Sequence, residues 1–208
     1  MNFFYPTLGA LLILAGFLFF VGRQNRDLLR VRAYGEFLVR LLPLLSTGVL
    51  ILGLPFVMEL ATAENALPVL LVYLGGSGIL TVLMARLAAP EERRAGTLFR
   101  REEYEGAAAT YERLLARRPL PRYYSALGAS FDVSGDHQGA LEATSQAIKL
   151  DPKLGIAYYN RASALAALGE KERARDDLQT VFRVDSSRRL RRAAGEALAK
   201  LERSDDSM

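Results

Sequence analysis

The chain has 208 residues, 50% hydrophobic and 24% charged, with a formal net charge of +4 and no cysteine. The lack of cysteine excludes disulfides, thiolate metal sites and thiol nucleophiles, and the mild, dispersed charge argues against a nucleic-acid surface, which needs a concentrated basic patch. The averages conceal two unlike halves: residues 1–90 hold six arginines, no lysine and four acids, whereas the remainder holds 21 bases and 19 acids.

Residues 3–22, FFYPTLGALLILAGFLFFVG, carry no charge. At a rise of about 1.5 Å per residue they are long enough to cross a hydrocarbon core of about 30 Å. A cleaved signal peptide would need a basic start and a small-residue cleavage site. This run begins after Met1-Asn2 and ends at Arg23, so a retained transmembrane helix is expected. Further uncharged stretches predict spans over residues 41–59 and 67–86, joined by a turn that suits a tight helical hairpin. Pro43 and Pro68 fall near the starts of these spans, where a missing N–H matters least, and Pro55 is placed to kink the second near its end.

The basic loop 23–40 holds Arg23, Arg26, Arg30, Arg32 and Arg40, and Arg86, Arg93 and Arg94 follow the third span. The intervening turn has Glu59 and Glu64 and no base. Short basic loops stay in the cytoplasm, which predicts an outward N-terminus and a cytoplasmic chain beyond Arg86. Loop 23–40 also repeats Leu28, Val31, Tyr34, Leu38 and Leu41 at helical spacing. It reads either as an interfacial helix facing anionic headgroups or as a basic extension that only sets topology. Small residues let helix backbones approach, so Gly9, Gly16, Gly48, Gly75, Gly76 and Gly78 are the expected packing positions. An unwound ion site at the last three would need charged partners inside the spans, and none is present.

From Pro121 onward the sequence repeats itself without a gap at a spacing of 34 residues. Tyr124 aligns with Tyr158, Gly128 with Ala162, Phe131 with Leu165, Gly135 with Gly169, Ala140 with Ala174 and Asp151 with Asp185. A period of this size marks stacked supersecondary units that cannot bury their apolar faces alone. Each unit reads as two helices broken at glycine and a polar pair, Gly135-Asp136-His137 and Gly169-Glu170-Lys171. Gly128, Ala162, Ala140 and Ala174 allow close packing, and Tyr124, Leu127, Phe131, Leu141, Ala147 and Ile148 form the inner faces.

The turn Gly135-Asp136, Ala140, Ala147 and the terminal KLDPKL resemble the tetratricopeptide repeat (TPR) family, here in the form of a membrane-anchored bacterial TPR protein. Ser186 stands where Pro152 closes the preceding unit. An all-α fold is therefore expected: a three-helix transmembrane bundle in residues 1–90, then a TPR-type solenoid in 91–203 and a disordered tail, 204–208. The solenoid divides into a degenerate repeat, 91–120, repeats 121–154 and 155–188, and a capping helix, 188–203, apolar through Leu190, Ala194, Leu198 and Leu201. The degenerate unit needs one extra residue before the next to keep register.

The resemblance implies that the first helices of the repeats line a groove for peptides or short helices of a protein partner. Its candidates are Arg93, Arg100, Arg122, Ser125, Ala129, Tyr159, Asn160 and Ser163, with Arg122 and Asn160 suited to a carboxylate or backbone amide. Family members that grip the C-terminal carboxylate of chaperones use basic residues where Ser125 and Tyr159 stand. Only Asn160 matches that set, so chaperone-tail binding is not expected. Other membrane-anchored members of the family recruit proteases or envelope-assembly enzymes in bacteria, some with a cysteine-rich metal module that is missing here.

The single histidine, His137, lies in a turn beside Asp136, far short of a triad or metal site. The pairs Glu102-Glu103 and Asp176-Asp177 read as exposed charged faces. No phosphate-binding loop appears, so neither catalysis, a cofactor, a metal nor a small-molecule substrate is expected. The expected partners are the lipid bilayer and a protein, with no nucleic acid. The function that follows is a scaffold, adaptor or assembly factor at the cytoplasmic membrane. Its alternative is an accessory subunit of a transporter or membrane enzyme complex, held mainly by the three-helix bundle.

Overall fold

The computed structural model describes residues 34–62, 64–87 and 90–205, with Leu12, Ala15, Gly16, Phe19, Gly22 and Arg23. The expected first span and most of loop 23–40, Gly9 included, lie outside the described residues. Among the described residues every regular element is a helix, and the chain divides into two compact units, Met1–Pro90 and Glu91–Met208.

In the first unit, α1 (Tyr34–Leu60) and α2 (Ala66–Leu87) form a hairpin. Helix α1 starts ahead of the expected span because the helical spacing of Tyr34, Leu38 and Leu41 runs on into it. Pro43 consequently lies well inside a helix rather than near its start, which removes the N–H that the Val39 carbonyl would accept. The Pro43 carbonyl in turn accepts from Ser46 Oγ and Thr47 Oγ1, both at 2.8 Å. The apolar segments Phe37–Leu60 and Ala66–Arg86 are 24 and 21 residues long. At about 1.5 Å per residue each reaches the thickness of a hydrocarbon core. Their side chains point outward instead of forming a core: Phe56 is 72% exposed and Val72 75%.

The seam between α1 and α2 is polar and close at two points. The Thr47 and Thr81 hydroxyls lie 3.3 Å apart, and the Tyr73 hydroxyl donates to the Leu50 carbonyl. A Cβ on Gly53 would sit 2.8 Å from the Tyr73 oxygen, so Gly53 is the glycine that this approach requires. The expected packing positions are placed differently. Among the described residues a Cβ on Gly16, Gly75, Gly76 or Gly78 would meet nothing within 4 Å, and the last three stand at exposed positions of α2. Gly48 is half-buried on α1.

The second unit stacks three helix pairs and one more helix: α3 (Pro90–Arg100) with α4 (Tyr104–Arg117), α5 (Pro121–Ser134) with α6 (His137–Leu150), α7 (Gly155–Ala167) with α8 (Lys171–Val184), then α9 (Arg188–Asp205). Each pair turns on a residue with positive φ: Glu102 at 65°, Gly135 at 93° and Gly169 at 81°. The hydrogen bonds are the same three times. The N–H groups of Glu103, Asp136 and Glu170 reach back to the carbonyls of Leu98, Phe131 and Leu165, and those of Glu102, Gly135 and Gly169 to Phe99, Asp132 and Ala166. This double bond pattern is the Schellman closure, which satisfies carbonyls left open at a helix end. Asp136 then starts α6 by accepting from Gly139 N at 2.9 Å.

Helices within a pair meet at small side chains. A Cβ on Gly128 would be 2.5 Å from Thr144 Cγ2 and 3.0 Å from the Ala140 carbonyl, which brings α5 and α6 almost backbone to backbone. Ala162 and Ala174 hold the equivalent contact between α7 and α8, 2% and 0% exposed. The core of the last pair adds Leu165, Leu178, Val181 and Ala194, with Leu190, Leu198 and Leu201 of α9 packed against it.

Candidate partner-binding face

The first helices of successive pairs lie side by side. Glu92 on α3 reaches α5, where its carboxylate accepts from the Tyr123 hydroxyl at 3.0 Å and lies 3.7 Å from Arg122 Nε. The Arg122 guanidinium also sits 5.2 Å from the Tyr123 ring centre, a cation–π distance. Burial first, and then the Glu92 charge, push the Tyr123 phenol up to about 12, against an opposing pull from Arg122. Tyr111 on α4 is raised for the same two reasons in the same order.

Between α5 and α7 the link is Asn160, whose side-chain amide donates to the Ser125 carbonyl at 3.0 Å and the Ser125 hydroxyl at 3.1 Å. Ser125 is 2% exposed. Those two candidates therefore join the repeats and offer no open ligand site; the amide expected to grip a carboxylate is spent on its neighbour. Arg122, its expected companion, is already set against Glu92. Arg93 and Arg100 stand exposed on α3, Arg100 donating to Thr97 Oγ1 at 3.0 Å, and Ala129 is half-buried on α5.

Tyr159 and Ser163 have a different setting. They line a cleft of about 610 Å³ between α7, α8 and α9, floored by Ala162, Ala166 and Leu178 and walled by Ala193, Ala197 and Leu201 of α9. Lys171, Glu196 and Lys200 stand on its rim. The cleft residues of α9 were missed in the sequence because that helix reads as a cap whose apolar stripe is spent on the core. The signal was present as Ala193, Ala197 and Lys200, spaced to share one face beside that stripe.

Two further expectations are corrected. Asp177 does not lie on an exposed face: it is 6% exposed, and Arg161 of α7 holds it with Nε and NH2 each 2.7 Å from one carboxylate oxygen. That bidentate bond raises the Arg161 pKa, and the Tyr158 ring lies 5.7 Å from the same guanidinium. Asp176 and the pair Glu102-Glu103 are exposed as expected. His137 pairs with Asp132, five residues back, at 2.8 Å, because the adjacent Asp136 is occupied at the helix N-terminus.

Comparison with known proteins agrees with this architecture. The sequence profile described as tetratricopeptide repeat matches residues 93–155 and 126–186. Small glutamine-rich tetratricopeptide repeat-containing protein 2 of Mycosarcoma maydis is 33% identical over 87 residues, covering 41% of this chain and 25% of that protein. The chain thus spans about a quarter of that relative's length. Among solved structures, the first TPR domain of Spaghetti (RPAP3), bound to an HSP90 peptide, superposes with a TM-score of 0.50 at 19% identity, over 55% of this chain and 89% of that one. The translocator chaperone SycD of Yersinia enterocolitica gives 0.53 at 18% identity, over 61% and 94%. At such identities the likeness is one of fold. Residues 93–186 are a run of tetratricopeptide repeats.

Proposed function

We propose that the protein is a membrane-anchored adaptor whose repeat unit holds a partner protein through the face made by α3, α5, α7 and α9. The observation that carries this reading is the open cleft of about 610 Å³ on that face, lined by side chains of three helices. Nothing in the repeat core requires such a space, and a close-packed stack leaves few voids of this size. The likeness to a repeat domain solved with a bound peptide supports the same class of role. The hairpin supports the anchor: two apolar helices with outward side chains suit lipid better than water. Confinement to the bilayer would raise the effective concentration of adaptor and partner without new contacts. Arginine placement orients the repeat unit to the cytoplasm and the turn at Glu64 to the outside.

The lack of cysteine makes the test direct. Single substitutions Glu64→Cys and Ser186→Cys should label with a membrane-impermeant maleimide in intact cells at Glu64 alone, and at Ser186 only after permeabilisation. Photo-crosslinking amino acids at Tyr159 and Ser163 should trap a partner that the same group at Glu142, on a second helix, does not. Labelling of both cysteines in intact cells would refute the orientation, and equal trapping from α6 would refute the face.

A second reading, an accessory subunit bound through its spans, rests on Gly75, Gly76 and Gly78, which leave one side of α2 open for another helix. Leucine at all three should then abolish partner capture while the Tyr159 crosslink position is irrelevant.

A further inference from the structure

The cleft between α7 and α9 has a chemistry narrower than a general peptide groove. Its apolar lining is mostly alanine, Ala162 and Ala166 on α7 and Ala193 and Ala197 on α9, with Leu178 and Leu201 beside them, so the space exists because small side chains leave it open. A volume of about 610 Å³ falls within the range of sites that take an apolar ligand group with a few polar contacts. The rim sets the sign of those contacts. Its charged lining is two lysines, Lys171 and Lys200, and one acid, Glu196, whose carboxylate also accepts from Arg192 Nε at 2.8 Å. Helix α7 contains no acidic residue, and α9 begins with Arg188, Arg189, Arg191 and Arg192.

We infer that this cleft seats an internal segment of a partner protein in which apolar side chains are flanked by carboxylates, and that it does so without reading a chain terminus. The inference rests on the adaptor reading and gives it a ligand class. The amide that would hold a terminal carboxylate, Asn160, is committed to Ser125, whereas the apolar lining and the two lysines, Lys171 of α8 and Lys200 of α9, belong to one cleft. Apolar side chains enter between the alanines, Tyr159 and Ser163 offer hydroxyls to the segment's backbone, and the flanking acids meet Lys171 and Lys200.

The test uses the full chain in lipid nanodiscs and a dye-labelled peptide, Glu-Glu-Leu-Ala-Leu-Glu-Glu, acetylated and amidated at its ends, followed by fluorescence anisotropy. Binding is expected, is expected to be equal with a free C-terminal carboxylate, and is expected to be lost when the leucines become serine or the glutamates lysine. Ala166→Trp should weaken it at least about tenfold by occupying the space of one apolar side chain. The double change Lys171→Glu, Lys200→Glu alters rim residues without touching the core, and should weaken binding about tenfold at low salt and less at high salt. Circular dichroism of each variant confirms that the helices persist. The inference is overturned if the lysine-flanked peptide binds as well, if Ala166→Trp binds normally, or if only the free carboxylate form binds. Should the peptide fail while Tyr159 still crosslinks to a partner in cells, the ligand class is wrong and the adaptor reading stands.

Discussion

Glu102 stands at a φ of 65° in the turn where the other two pairs use Gly135 and Gly169, and the same two closing hydrogen bonds form there, from the N–H groups of Glu102 and Glu103. A side chain in that left-handed region costs about 1 kcal/mol or more. Glu102→Gly should therefore raise the free energy of unfolding by about 0.5–1 kcal/mol, the strain relieved less the added freedom of glycine in the unfolded chain. Urea unfolding of the two proteins side by side would show it, and a lower midpoint in the variant would mean that the turn is held by Glu102 itself. This residue is part of why one repeat reads as degenerate: the turn geometry is intact, but the glycine that advertises it is missing and the unit is one residue short of register, 33 positions from Glu102 to Gly135 against 34 from Gly135 to Gly169. Burial was illegible at single residues for a related reason. Thr110, Ser130 and Thr144 are at most 1% exposed, although their hydroxyls suggest surface. Each hydroxyl donates to the carbonyl four residues earlier, at 2.8, 3.0 and 2.6 Å, so each polar group enters the core already satisfied.

Between elements, contact depends on what small residues permit and on a few polar ties. Gly128→Ala would push a methyl into Thr144 and the Ala140 carbonyl. Overpacking of this kind costs about 1–3 kcal/mol, against a gain of about 1 kcal/mol in helix propensity. A net loss of about 1 kcal/mol is expected, while Gly96→Ala, whose Cβ would meet only Arg100 at 3.6 Å, should be neutral or stabilising. Equal stability of the two variants would show that α5 and α6 can part without penalty. The tie from α3 to α5 is testable by pH. Burial and the Glu92 charge push the Tyr123 phenol up to about 12 from the ordinary tyrosine value of 10.0, so the folded state favours the neutral phenol. The stability contributed by Tyr123 is then complete below about pH 10 and is lost as pH rises through about 12. A tyrosinate absorbance titration should show its latest phenol near 12, lost in Tyr123→Phe while the raised Tyr111 remains; titration of every tyrosine near 10 would exclude the buried hydrogen bond to Glu92. Repeat period and glycine placement made the helix pairs legible, whereas the Arg161–Asp177 bridge was not, because sixteen positions of separation are local only once α7 and α8 have folded together.

At the scale of the molecule, the two halves place their apolar side chains differently. In α1 and α2 the apolar residues face outward and the polar ties run along the seam; in the repeats the apolar residues face inward and the charges outward. The contrast has its counterpart in composition, since 40 of the 50 charged residues lie beyond residue 90. The groove chemistry was less readable, because it depends on which side chains neighbouring repeats consume: Ser125, Asn160 and Arg122 are occupied, and α9 brings residues that no repeat pattern marks.

The position of the cleft between the last helix pair and α9 makes it a sensor of local order as well as a surface. In a stack whose units contact mainly their neighbours, terminal elements open before central ones. An occupant clamped between α7 and α9 would have to wait for α9 to be seated, and would then slow its departure. Under the proposed function, its binding would thus be registered as slower hydrogen exchange along α9.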